Sequence, residues 1–439
     1  MGLFFGTDGL RGKINEDLTP DIAMKIGNAL SILKHNPRII VGSDTRVSNS
    51  YLSCALSCGA MRGGANIVDV GIIPTAGIAY LTKIFGADYG VVISASHNSG
   101  EYNGIKVFGP EGYKLGDKEE ERIERCFIQE KTNLYPDIGR YEQNFNLIKI
   151  YRDFLINCSE NRLDGMTVVL DCAFGASHRV APEVFRALGA KVIATNCKNE
   201  GEKINKNCGA LNVEGLRKRV LKHKADAGFA FDGDADRLIA IDEKGNKIDG
   251  DMIIFGLAKY YKKIGKLKGD TVVGTSHTNM AIESALKKER IQLLRTDIGD
   301  KYVLAKLIEK NLSLGGEQSG HIILKDLATT GDGILSAIAV SNMIVNEKKT
   351  FSEALDVVLY PQTNINVVVS DKFRIINSDE LNREVAKFNA EMYGKGRIMI
   401  RASGTEPKIR VMVESQDAKE NEIIAQDLVA LVKKINSED

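Results

Sequence analysis

Three aspartates alternate at Asp232, Asp234 and Asp236, and Arg237 follows at once. Carboxylates this close repel one another and call for a cation. Oxygen-only donors suit a hard divalent ion such as Mg²⁺. A calcium loop beginning at Asp232 would find Glu243 at its last ligand place. Its glycine slot, however, holds Arg237, and both flanks have strand rather than helix character. A glycosyltransferase-type D-x-D site is a second rival, but it leaves the third aspartate and an upstream serine loop without a role. A solvated acidic turn is a third. The triplet interrupts an apolar strand pair, which speaks against it.

The upstream loop lies within Tyr89 to Lys106, YGVVISASHNSGEYNGIK. Val91, Val92 and Ile93 form a β-branched run of strand type. Ser94, Ala95 and Ser96 then lead into a polar turn tipped by His97 and Asn98, with Gly100 and Gly104 to bend it. Ser96 is expected to be exposed there, among hydrogen-bonding groups. Taken alone, such a serine caps backbone groups as readily as it does chemistry.

Three further loops have chemical character. FGTDGLRG sets Gly6, Gly9 and Gly12 around Arg11, which suits an anion or a plain turn equally. LGGEQSGHIIL, from Leu314 to Leu324, projects Glu317, Gln318, Ser319 and His321 from glycines. Carboxylate and hydroxyl groups together suit sugar hydroxyls or an amine, and His321 is either structural or an acid/base group. Arg401-Ala402-Ser403-Gly404-Thr405 offers a guanidinium, two hydroxyls and open amides to a phosphate, or simply joins two strands.

These loops need a scaffold, and one pattern appears three times: apolar run, Gly/Ser/Asp turn, amphipathic helix, apolar run. The copies are RIIVGSDTR with Tyr51–Met61 and ANIVDVG, MTVVLDCAFGAS with Val180–Leu188 and AKVIATN, and DTVVGTSHTN with Met280–Lys288 and IQLLRTDIG. Each reads as a βαβ unit with parallel pairing. Each turn falls at a strand's C-terminal end, where open α/β sheets bind ligands. After Asn364 the pattern changes to strand, helix 379–391 with Ser378 as N-cap, two strands, and a last helix through Lys434 opened by an Asp417/Glu420 capping box. The expected fold is α/β: three similar mixed-sheet domains over 1–150, 151–250 and 251–362, then a smaller α+β domain over 363–439.

Composition narrows the function. Lys and Arg number 59 against 58 Asp and Glu, so no basic excess points to nucleic acid or a membrane surface. No apolar stretch is long enough to span a bilayer and no leader pattern opens the chain, so a cytoplasmic protein is expected. The seven cysteines are Cys54, Cys58, Cys126, Cys158, Cys172, Cys197 and Cys208, scattered and without a C-x-x-C pair. Reduced thiols fit best. Cys54 and Cys58, one helical turn apart in an apolar segment, are expected to pack in a core.

Together FGTDGLRG, ISASHN, DGDADR, GGEQSGH and RASGTEPKIRVMVE resemble, in order and over essentially the whole chain, the α-D-phosphohexomutase superfamily, most of all its bacterial phosphoglucosamine mutase branch. The resemblance implies four domains around a central cleft. It also implies interconversion of glucosamine 6- and 1-phosphates, supplying UDP-N-acetylglucosamine and cell-wall precursors. In such an enzyme Ser96 carries a phosphoryl group, and Ser96, Asp232, Asp234 and Asp236 hold one Mg²⁺. Arg11, Lys106 and Arg237 attend the reacting phosphate, with Lys106 or His321 as acid/base. Glu317 and Ser319 hold the sugar. Arg401, Ser403, Gly404, Thr405 and Arg410 hold the other phosphate. Glucosamine 1,6-bisphosphate is the intermediate and activator, a small sugar phosphate the only partner, and a homodimer the assembly left open. Four positions depart from the family's usual pattern: Ser99 for Pro, Ala235 for Gly, Tyr102 in EYNGIK, and Phe174 for Asn. None removes a reactive group. Phosphoglucomutase or phosphomannomutase is the alternative, and a silent sugar-phosphate sensor the more distant one.

Overall fold

The computed structural model describes residue 6 and residues 8–129, 138–403 and 407–437. Its contacts divide the chain into two units, 1–278 with 289–356, and 279–288 with 357–439.

The first unit holds three mixed sheets. The largest has six strands in the order Leu10–Lys13, Tyr102–Phe108, Tyr89–Ile93, Arg38–Ser43, Asn66–Ile72, Tyr141–Gln143. Tyr89–Ile93 pairs parallel with Arg38–Ser43 and antiparallel with Tyr102–Phe108. Covered on both faces, its Val91, Val92 and Ile93 are fully buried, which explains the unbroken apolar run. Each such side chain contributes about 1.5–3 kcal/mol over leaving it in water. Helices Pro20–Leu33 and Asn49–Arg62 cover this sheet with their backbones in contact: a Cβ on Gly27 would lie 2.0 Å from the Leu56 carbonyl oxygen. The second sheet runs Lys247–Ile248, Leu238–Asp242, Ala227–Phe231, Thr167–Asp171, Lys191–Thr195, and the third Gln292–Thr296, Thr271–Thr275, Leu314–Gly316, Ile322–Leu324. All three repeated strand pairs are parallel, as the spacing predicts.

In the second unit a three-stranded antiparallel sheet, Gln362–Val368, Lys408–Ser415 and Gly396–Ala402, packs against Asp379–Glu391 and Ala418–Ser437. The helix bounds at 379–391 agree with expectation, but Ser378 makes no capping bond. A short helix just before it, Lys372–Ile376, capped by Asp371, already satisfies the local turn. The Asp417 carboxylate does accept from the Lys419 and Glu420 amides, and the last helix runs to Ser437 rather than Lys434.

Cys54 and Cys58 are a correction. Leu52, Ala55, Leu56 and Ala60 take the buried face of their helix, and both thiols lie on the exposed side. No described helix is long and apolar enough to cross a membrane.

Candidate active site

Ser96 follows the central strand Tyr89–Ile93 in a left-handed backbone conformation, φ 51°. Such a conformation in a non-glycine residue costs about 1–2 kcal/mol and needs outside support. That support comes from Arg46, fully buried and paired with Asp44 at 3.0 Å. Its guanidinium donates to the carbonyl oxygens of Ser96 (3.1 Å), Asn98 (2.7 Å), Tyr102 (2.7 Å) and Ser99. The Asn205 side-chain amide donates to two of the same oxygens, Ser96 and Asn98, at 2.9 Å each. Ser94 is committed to the scaffold: its hydroxyl donates to Asp44 at 2.6 Å and accepts from the Ser96 amide at 2.9 Å. Ser96 Oγ is left to face Asp232 Oδ2 at 2.5 Å. Contrary to the expected exposure, Ser96 is only 1% exposed, because the loop's reactive face lies against the aspartate loop.

Asp232, Asp234 and Asp236 occupy the turn between antiparallel strands Ala227–Phe231 and Leu238–Asp242, and all three are buried. One oxygen from each lies within 4.8 Å of the others. The loop is docked from several sides. Thr75, opening helix Thr75–Ile84, donates its amide to the Asp234 carbonyl (3.0 Å) and its hydroxyl to Asp234 Oδ2 (2.6 Å). The amides of Ala176 and Gly333 bond the carbonyls of Gly233 and Ala235. Burial and the negative charges of Asp236 and Asp234 push the Asp232 carboxyl up to about 8. Asp234 Oδ1 and Asp236 Oδ1 are buried without a hydrogen-bond partner. Crowded, partly unsatisfied carboxylate oxygens fit a hard cation. Glu243, the last ligand of the rejected calcium loop, instead bonds Ser352.

Lys106 stands on the strand antiparallel to Tyr89–Ile93. Its ammonium reaches Asp234 at 2.8 Å, Asp8 at 3.0 Å and Asp236 at 3.2 Å. Burial works against that charge, but the three carboxylates more than offset it and hold Lys106 well above its ordinary value. Asp8 also pairs with Arg11 and Lys114, and Lys114 with Asp300 at 2.5 Å. His321 closes the ring, with Nδ1 3.7 Å from Asp236 and Nε2 3.4 Å from Asp300. It is 3% exposed and does not project from its loop as the sequence suggested. Burial lowers its proton affinity, yet Asp236 and Asp300 raise it further. The Gly331 amide aimed at Nε2, at 3.2 Å, opposes that rise by demanding a lone pair there, so the Asp236 side is where a proton is best held. His97 Nδ1 lies 3.4 Å from Ser96 Oγ; burial, then Arg237 and Arg11, push its ring down to about 4, leaving it neutral.

Arg237 Nε lies 4.0 Å from Asp232 and 3.9 Å from Asp236, without a hydrogen-bond partner. Arg11 is placed by the pairing of Arg11 with Gly104, and its Nε is likewise unpartnered. Glu317 is fixed by the Gly299 amide at 3.0 Å, while Ser319 Oγ is buried without a partner. In the second unit, Arg401 and Arg410 face each other across strands Gly396–Ala402 and Lys408–Ser415. Burial first, then the charge of Arg410, lower the Arg401 guanidinium. Paired cations of this kind suit an anion. Ser403 is 2% exposed, and its carbonyl accepts from Lys372. Gly404 and Thr405 lie outside the described residues.

Sequence reasoning missed Arg46, Asn205, Lys114 and Asp300, and gave Asp8, within FGTDGLRG, no role of its own. Arg46 in the D-T-R run was the one with a signal: a lone arginine after a polar strand end, ahead of a helix. Two departures acquire a backbone explanation. Ala235 has φ 59° and Phe174 φ 53°, left-handed positions at which glycine and asparagine are the easy residues. Phe174 is held by its carbonyl, which accepts from Thr45 at 2.5 Å, and by Lys203 over its ring at 5.8 Å.

Models of the phosphoglucomutase/phosphomannomutase domains match along the chain: domain I over 2–134, domain II over 149–245, domain III over 249–360 and the C-terminal domain over 365–431. The chain is 47% identical over 444 residues to the phosphoglucosamine mutase of Caldanaerobacter subterraneus subsp. tengcongensis, covering 99% of both. It is 46% identical over 445 residues to that of a Thermoanaerobacter species, again covering 99% of both. Among solved structures, a phosphoglucomutase/phosphomannomutase family protein from Burkholderia thailandensis superposes with TM-score 0.85 at 21% identity, covering 98% of both chains. Aspergillus fumigatus N-acetylphosphoglucosamine mutase, in complex with GlcNAc-6P and magnesium, gives TM-score 0.69 at 18% identity, covering 100% of this chain and 96% of that one.

Proposed function

The chain belongs to the phosphoglucomutase/phosphomannomutase family, and on that premise we propose that it interconverts glucosamine 6-phosphate and glucosamine 1-phosphate through a phosphoserine at Ser96 and glucosamine 1,6-bisphosphate. The observation that carries the reading is Ser96 Oγ, 2.5 Å from Asp232 and beside carboxylate oxygens that lack partners. Phosphoryl transfer asks mainly for positioning and charge neutralisation. Asp232, Asp234 and Asp236, together with Ser96, would hold Mg²⁺, which would supply positive charge beside the transferring group. Arg46 and Asn205 fix the Ser96 backbone. Lys106, Arg11 and Arg237 neutralise the phosphate oxygens. Lys106, held as a cation by three carboxylates, and His321, between Asp236 and Asp300, are the two acid/base candidates for the sugar hydroxyl's proton. Glu317 and Ser319 bind the sugar, and Arg401, Ser403, Gly404, Thr405 and Arg410 bind the phosphate that is not reacting. In this reading 1–150 carries the phosphoserine, 151–250 the metal, 251–362 the sugar and 363–439 the distal phosphate.

Parallel coupled assays with glucosamine, N-acetylglucosamine, glucose and mannose phosphates test it. The highest kcat/KM is expected with glucosamine phosphate, since a protonated amine gains more from Glu317 than a hydroxyl does. Glu317→Gln should narrow the discrimination, and Ser96→Ala should abolish both protein phosphorylation and turnover. Preference for glucose 1-phosphate over glucosamine 1-phosphate would transfer the assignment to a phosphoglucomutase.

A further inference from the structure

Cys172 and Cys197 follow two adjacent parallel strands, whose last paired residues are Asp171 and Thr195. The Cys172 amide donates to the Thr195 carbonyl at 3.2 Å. This register brings both residues to one sheet edge, where the two thiols are neighbours. Cys172 is fully buried. Cys197 is half-buried and lines an open pocket of about 380 Å³ with Phe174, Lys198, Lys203 and Arg219. One sulfur thus meets solvent while the other stands behind it, the relation of an attacking to a resolving thiol.

We propose that Cys172 and Cys197 form an oxidative modification site, closing to a disulfide when a peroxide-class oxidant enters this pocket. The Cys197 thiolate attacks the peroxide: a sulfur–oxygen bond forms, the oxygen–oxygen bond breaks, and hydroxide leaves to be protonated to water. Cys172 then attacks the Cys197 sulfur. The sulfur–sulfur bond forms, the sulfur–oxygen bond breaks, and a second water departs with the Cys172 proton. Two thiols lose two electrons, and the peroxide gains them. Local electrostatics assist. The neighbouring Cys172 thiol, and then the charge of Arg186, lower the Cys197 thiol although burial resists. As a thiol, Cys197 donates to the His178 carbonyl at 2.6 Å. As a thiolate it gives up that bond, with the Cys172 thiol beside it.

The modification reaches the phosphoserine machinery through residues 173–176. The Ala173 carbonyl accepts from the Asn205 amide at 3.0 Å, and the Ala176 amide donates to Gly233 between two of the aspartates. The Gly175 backbone packs so tightly on Gly233 that an added Cβ would lie 2.3 Å from its carbonyl oxygen. Drawing Cys172 toward Cys197 displaces a segment bonded both to the clamp on Ser96 and to the aspartate loop, so oxidation slows turnover.

The test treats full-length protein with stoichiometric hydrogen peroxide, blocks free thiols and maps peptides by mass. The expected product joins the Cys172 and Cys197 peptides, is released by dithiothreitol, and is absent in Cys197→Ser. It persists in a Cys54→Ser/Cys58→Ser variant, which removes the two exposed thiols. Turnover of that double variant should fall several-fold on oxidation and recover on reduction, while Cys197→Ser keeps its turnover throughout. Recovery of Cys197 as sulfinic or sulfonic acid with Cys172 still a free thiol would overturn the pair. A disulfide that leaves turnover unchanged would overturn the coupling. Peptide mapping needs no substrate, so its result stands apart from the choice of sugar.

Discussion

Replacing Asp332 with Asn should stabilise the protein at alkaline pH and do so only there. Asp332 is 1% exposed. Its Oδ1 caps helix Gly333–Glu347 by accepting from the Ile334 and Leu335 amides at 3.0 Å, and its Oδ2 accepts from the Tyr151 hydroxyl at 2.7 Å. Burial outweighs these bonds and pushes the carboxyl from 3.8 up to about 6. Below the unfolded value both states carry the proton and the group contributes nothing. Between about 4 and 6 the folded state binds the proton more tightly, so stability falls as pH rises. Above 6 the full cost of the buried charge is present, roughly 3 kcal/mol. An asparagine keeps the two capping bonds and gives up a charged acceptor for Tyr151, worth about 1–1.5 kcal/mol. The variant should therefore gain about 1.5–2 kcal/mol at pH 8, and the gain should turn into a loss of about 1–1.5 kcal/mol as pH is lowered toward 4, where the charge cost is gone and only the lost Tyr151 bond remains. Urea unfolding of both proteins in parallel across that range measures the difference. A difference that does not change with pH, or a less stable variant at pH 8, would refute the reasoning.

Arg46→Lys keeps one charge but cannot reach four loop carbonyls at once. kcat should fall at least tenfold with KM little changed, and a KM effect alone would deny it a role in setting Ser96. Ala235→Gly should leave stability within about 1 kcal/mol of the wild type, because relief of the left-handed strain is offset by a lost buried methyl and greater chain freedom. Ala235→Val, β-branched at φ 59°, should instead cost more than about 2 kcal/mol in the same unfolding assay. Arg401→Ala should weaken both directions of the reaction by about 1.5–3 kcal/mol in kcat/KM; unchanged kinetics would remove the second unit from phosphate binding.

Local pattern carries far in this chain. The βαβ pairs show in the sequence because parallel strands buried on both faces must be apolar runs, and each is closed by a helix of amphipathic period. The aspartate triplet shows because like charges at such spacing have few uses. Arg46, Asn205, Lys114 and Asp300 were invisible for the opposite reason. Each acts on a loop far away in sequence, and nothing in its own neighbourhood records that distance. Ser96 looked exposed because the sequence shows the strand that carries it, and not the aspartate loop that covers it. Cys54 and Cys58 misled because their segment is apolar all round at the level of composition, while helical phase decides which side faces water. Ala235 and Phe174 looked like changes of chemistry, and the backbone angle makes them changes of conformational cost.

The carbonyls of Ser96 and Asn98 each accept one bond from Arg46 and one from Asn205. During synthesis these donors emerge at very different times. When residues 1–110 have left the ribosome, the serine strand and Arg46 are present, but Asn205 and Asp232 do not yet exist. A chain at that stage holds its nucleophile half-clamped and without the carboxylate 2.5 Å away. On the proposed function, phosphoryl acceptance at Ser96 thus waits until residues 205–236 have emerged. A truncated product ending before residue 205 would carry an inert serine rather than an unregulated one.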